Sequence, residues 1–272
     1  MNRFVFQSGD IESMWNWDPF TLIGGGLLIG LYLFIVGPYR SKKHSSEITS
    51  SSQTILFILG IAVIILGKIS PLDYLVENHL LTAHMIQHML YTLLAPPLLL
   101  LGTPGWLLSP VLKIPIWKKI GLVLTNPFLA FLLFNITFLF WHLPGIYELS
   151  IESEYIHFLS KASFILTALL FWWPLLSPVS ELPRLTPPFQ ILYIFAAAIP
   201  CTVLGVMIIF SPTIIYSAHA MTSHQRYFLD PIFDQQIAGV LMVGAENIIY
   251  LILLTIVFFG WLCREESKET TK

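Results

Sequence analysis

The densest chemistry in the sequence is the run His84-Met85-Ile86-Gln87-His88-Met89. On a helix, His84 and His88 share one face, which Gln87 and Tyr91 extend, while Met85 and Met89 form a neighbouring stripe. Imidazole nitrogen and thioether sulfur are donors that suit copper, and methionine favours Cu(I). Three further segments offer polar groups at helical spacing: Asn135 with His142, His157 with Lys161, and Gln235 with Met242 and Glu246. Small Ala238 and Gly239 separate the last set and permit close helix packing. Asp234 reads as the N-cap of the helix that follows it. Glu246 and Lys161 either pair with each other, or Glu246 serves proton or metal chemistry. The same residue types also fill ordinary structural roles. Histidine can be a hydrogen-bonded packing residue, methionine a gap filler, and lysine a group that snorkels to the surface.

The elements that must position these groups are membrane spans. Of 272 residues, 56% are hydrophobic and 11% charged, against roughly 45–50% and about 25% in soluble domains. Seven apolar stretches approach the roughly 20 helical residues that cross a hydrocarbon core. They cover approximately 20–38, 54–70, 79–101, 126–147, 156–177, 189–211 and 236–262. The expected fold is all-α: an integral membrane protein with seven transmembrane helices in one membrane domain, 1–272. Helices are the form that satisfies every backbone group of an apolar span in lipid. Residues 39–53, basic at the start and rich in serine, form a linker.

The basic residues set a direction. Arg40, Lys42, Lys43, Lys113, Lys118, Lys119, Arg184, Arg264, Lys268 and Lys272 fall on one side, ten of the 14 Lys and Arg. Arg3, Lys68 and Arg226 fall on the other, and Lys161 lies within a span. The ten-residue side, with the linker, is expected to be cytoplasmic, which puts the N-terminus outside and the C-terminus in the cytoplasm. His44 then lies in the linker, and the other seven histidines (His79, His84, His88, His142, His157, His219 and His224) fall toward the outer side. At a rise of about 1.5 Å per residue, His84, His142 and Lys161 reach roughly 7–8 Å below the outer surface and His88 about 13 Å.

Several functions are excluded or disfavoured. A net charge of −2 gives no basic face for nucleic acid. Cys201 and Cys263 form no CxxC, zinc motif or disulfide framework. The acidic N-terminal segment lacks the basic region of a cleavable signal. No serine or cysteine stands beside a base at hydrolase spacing, so an enzyme is not expected. A haem cytochrome with His88 and His142 as axial ligands, or a transporter using Glu246, Asn135 and Lys161, remain alternatives to copper handling.

The sequence also resembles a known family. His84-Met85-Ile86-Gln87-His88, Ala95-Pro96-Pro97-Leu98, Leu101-Gly102-Thr103-Pro104, Trp141-His142-Leu143-Pro144, Phe171-Trp172-Trp173-Pro174 and the run from Asp234-Gln235-Gln236 to Met242 occur in one order. That ordered set resembles the CtaG family of multi-span cytochrome c oxidase assembly factors. The resemblance covers about residues 79–250. It implies a multi-pass protein of the bacterial plasma membrane that assists formation of the copper centre CuB in subunit I of a caa3-type oxidase. Copper would be transient cargo, received from an extracytoplasmic donor that the sequence does not identify. The family's motif histidines fall on His84, His88 and His142, and its acidic motif on Asp234. The expected Cu(I) site is His84, His88 and His142, joined by His157 or a methionine. Met85, Met242, Lys161, Asp234 and Glu246 are auxiliary candidates.

Overall fold

Proline and polar caps mark out the helices. In a computed structural model, residues 12–39, 49–78, 80–219 and 230–269 are described, without the side chains of Tyr39, His219 and Glu269. His44, His79, His224 and the side chain of His219 lie outside that set. The helices are α1 (Pro19–Phe34), α2 (Ser51–Ile69), α3 (Pro71–Glu77), α4 (Leu81–Gly102), α5 (Gly105–Leu112), α6 (Pro115–Leu124), α7 (Pro127–Trp141), α8 (Pro144–Glu152), α9 (Glu154–Leu176), α10 (Pro187–Phe210) and α11 (Pro231–Glu269). Seven of these begin on proline, whose fixed φ and missing N–H suit the first helical position. Side chains of Asp18, Ser50, Ser70, Asn126, Ser153 and Asp230 accept the N–H groups left over at helix starts.

Six helices (α1, α2, α4, α9, α10 and α11) are long and apolar enough to cross a membrane, and the bent pair α6–α7 makes a seventh if counted as one span. The chain is therefore a multi-pass membrane protein. Exposed Leu27, Phe195, Val240 and Ile256 typify the outer surfaces of these helices, which suits contact with lipid. The fourth span differs most from its expected bounds of 126–147. Its helix ends at Trp141, and Pro144 opens α8 after a break. Pro144 has no N–H to continue the ladder, so His142 lies at a helix terminus. The bend of 62° between α6 and α7 falls at Thr125-Asn126. The last helix runs on to Glu269, beyond the expected 262.

At the centre is α4, which packs on α2, α9 and α11, while α10 packs along α11 and α7 along α9. Five of its residues (Leu90–Leu94) form a π turn, followed by Pro96-Pro97. The Thr92 carbonyl then finds a proline at both i+4 and i+5, neither with an N–H. Trp172 of α9 supplies the missing donor: its Nε1 bonds Thr92 O at 2.8 Å. The two proline- and tryptophan-containing motifs thus meet in one contact. On the other side of α4, Gly102 lies so close to Phe57 of α2 that a Cβ would collide with that residue's backbone.

Candidate functional site

Three polar centres surround the upper half of α4. The deepest holds His88 of α4 and His142 at the end of α7. Their ring centroids are 5.6 Å apart with planes at 75°, and both side chains are buried, 8% and 6% exposed. Phe164 packs edge-on to His88 at 4.3 Å, and Phe138 packs at 4.4 Å against His142 with the planes tilted by 43°. The break after Trp141 lets the His142 ring fold back on its own helix, where Nδ1 lies 2.7 Å from Phe138 O. A carbonyl only accepts, so Nδ1 carries the proton and Nε2 keeps its lone pair. That Nε2 is buried and has no hydrogen-bond partner. An orphaned acceptor of this kind costs about 1–3 kcal/mol.

Below His88 is a small cavity of about 20 Å³, lined among others by Met89, Asn135, Cys201, Met242 and Glu246. It has room for about one water-sized body. Sulfur, imidazole and carboxylate therefore border one space. Met85, by contrast, is fully buried in the apolar cluster with Leu81, Phe138 and Phe164, and it does not line that cavity.

The second centre contains His84 and His157. Both line a chamber of about 340 Å³, together with Lys68, Glu77, Glu152 and Glu154. His84 meets the ring of Tyr147 edge-on at 5.1 Å. Although His84 and His88 share a helix face, one full turn separates them by about 6 Å along the axis. They consequently open into different spaces. The expected group of four histidines is thus divided into His88 with His142 and His84 with His157. Among the described residues, no three His, Cys, Asp or Glu side chains are arranged to hold a metal ion.

The third centre is built on Asp73, in the short helix α3, and the sequence reading missed it. Its fully buried carboxylate accepts from Lys68 Nζ at 2.8 Å, Lys161 Nζ at 3.2 Å and Gln87 Nε2 at 2.8 Å. Lys68 also reaches Glu77 at 3.4 Å, and Gln87 donates to Gly67 O at 2.6 Å. Burial by itself would raise the Asp73 pKa, but the ammoniums of Lys161 and Lys68 and the Gln87 amide hold it below its ordinary 3.8. Lys161 is therefore the partner of Asp73, and of the two readings for Glu246 the pairing with Lys161 is not found. Glu246 faces the small cavity instead. An acid between two apolar stretches reads as solvated, so the one sequence signal for Asp73 was its position five residues after Lys68.

Asp234 is corrected as well. Its own helix is capped by Asp230, which accepts from Ile232 N at 2.8 Å and Phe233 N at 3.2 Å. Fully buried, Asp234 reaches across to α4 and accepts from Leu81 N at 2.9 Å, Thr82 N at 3.1 Å and Thr82 Oγ1. Leu80, which precedes α4, has no side chain able to do this. Gln235 ties α11 to the preceding loop: its Oε1 accepts from Ile215 N at 2.8 Å, and its Nε2 donates to Ile208 O at 3.3 Å.

Fold and site together define a helical multi-pass membrane protein with a buried histidine pair beside a sulfur-lined cavity. The chain belongs to the cytochrome c oxidase caa3 assembly factor family (Caa3_CtaG), whose sequence profile matches residues 30–264. No curated protein and no solved structure matches it significantly. The protein is thus a membrane-embedded assembly factor associated with cytochrome c oxidase.

Proposed function

We propose that the protein is a copper chaperone that hands Cu(I) to the CuB centre in subunit I of a caa3-type oxidase. In this reading the cargo is held between His88 and His142, with Met242 as an adaptable third donor. The observation that carries the proposal is the buried, unpartnered Nε2 of the His142 ring, whose centroid lies 5.6 Å from that of His88. Two imidazoles sharing a metal through bonds of about 2 Å have centroids roughly 6 Å apart, close to the 5.6 Å found. Cu(I) accepts few, soft ligands, so two imidazoles and a thioether suffice. A haem between the rings would have to displace Phe138 and Phe164, which press against them.

The histidine end of the bundle faces outward in this account, and the end bearing Lys113, Lys118 and Lys119 faces the cytoplasm. The membrane is the bacterial plasma membrane. The chamber holding His84 and His157 receives the metal from an extracytoplasmic donor. Its carboxylates Glu77, Glu152 and Glu154 favour a cation. The cargo is passed on unchanged, with no substrate turned over. Copper content of oxidase purified from cells carrying His142→Ala tests the reading. Loss of CuB with haem retained is expected, while a fully metallated, active oxidase would refute it.

A further inference from the structure

A crevice of about 670 Å³ lies between α1, α2 and α9 and adjoins the His84 chamber. Its lining is stratified. Asp18, Lys68, Glu77, Glu154 and Lys161 supply its charged part, with Glu154 two helical turns, about 10 Å, nearer the start of α9 than Lys161. Ile64 and Ile165 each lie one helical turn deeper than the lysine of their own helix. Phe20, Phe158 and Ala162 complete the apolar wall. Among the described residues α1 rests mainly on α2, which leaves little contact between α1 and α9.

We propose that this crevice binds one phospholipid with a primary-amine headgroup. The phosphate lies at Lys68 and Lys161, the ammonium at Asp18, Glu77 and Glu154, and an acyl chain runs along Ile64 and Ile165. Each lysine ammonium has three donors, and Lys161 spends one on Asp73 and Lys68 two, on Asp73 and Glu77. Donors remain for a phosphate. The three carboxylates at the rim outnumber the two ammoniums, and Asp73 adds a fourth negative charge behind them. A lipid of net negative charge is therefore disfavoured. A primary ammonium also donates hydrogen bonds to carboxylates, which a quaternary one does not. Four lining residues (Lys68, Glu77, Glu154 and His157) are shared with the His84 chamber. The bound lipid accordingly closes the lateral approach to that chamber.

Native mass spectrometry of the full-length protein, stripped of lipid and titrated with phosphatidylethanolamine, phosphatidylcholine and phosphatidylglycerol, tests this. One bound phosphatidylethanolamine is expected, held roughly fivefold more tightly than either competitor. Ile165→Trp, which narrows the apolar wall beneath Lys161, should weaken that binding severalfold, and Glu77→Gln with Glu154→Gln should erase the headgroup preference while leaving a lipid bound. Equal binding of the three lipids by the native protein would overturn the proposal, as would unchanged affinity in Ile165→Trp. So would an empty crevice that crosslinks to an oxidase helix. None of these results depends on copper.

Discussion

Asp234 of α11 bonds the backbone N–H of Thr82 at 3.1 Å and so serves as the N-cap of a helix 152 positions away in sequence. The start of α4, and with it the placement of His84 and His88, is set by a residue of the last span. Asp234→Ala leaves Leu81 and Thr82 without their acceptor and should lower stability by about 1–2 kcal/mol. Asp230→Ala removes an exposed cap and should cost less. Thermal melting in detergent ranks the two, and an equal or reversed order would show that the cross-helix cap is idle.

Asp73 and Lys161 should prove mutually dependent. Asp73→Asn strands a largely buried ammonium and is expected to cost about 3 kcal/mol, whereas Asp73→Asn with Lys161→Met should recover much of the loss. A double-mutant cycle read by melting temperature measures the coupling, which additive effects would disprove.

The same carboxylate sets an acid limit. Its pKa is lowered in the folded protein, so its stabilisation is complete above the ordinary 3.8 and is lost as pH falls through the lower folded value. Stability of the native protein should therefore decline on acidification below about pH 4. The Asp73→Asn variant should be less stable at neutral pH and flatter over that acid range. Parallel curves would remove Asp73 from the explanation.

Trp172 and Pro96 form a second testable pair. Trp172→Phe orphans the Thr92 carbonyl and should cost about 1–3 kcal/mol. In a Pro96→Ala background, residue 96 regains an N–H for that carbonyl, and the penalty for Trp172→Phe should shrink. An unchanged penalty would mean that the indole acts through packing alone.

The long apolar helices were legible because lipid requires about 20 apolar residues, whatever their neighbours. Span 4 was overextended because apolarity continues through Leu143, whereas the backbone breaks where Pro144 removes a donor. The histidines were visible as a set gathered toward one end of the spans, but their grouping was not. Spacing along α4 puts His84 and His88 on one face without saying which neighbour meets each. Asp73 and Asp234 were hardest to read, since their partners lie on other helices. An acid near a helix start looks like a local cap until the fold shows Asp234 turned toward Thr82.

The central claim is that His88 and His142 hold Cu(I). An anaerobic competition titration of detergent-purified protein, with each histidine of the four replaced singly by alanine, tests it most directly. About one equivalent of Cu(I) should bind the native protein. His88→Ala and His142→Ala should lose it, and His84→Ala and His157→Ala should keep the affinity while loading more slowly. Binding that survives His142→Ala, or no binding by the native protein, would contradict the account.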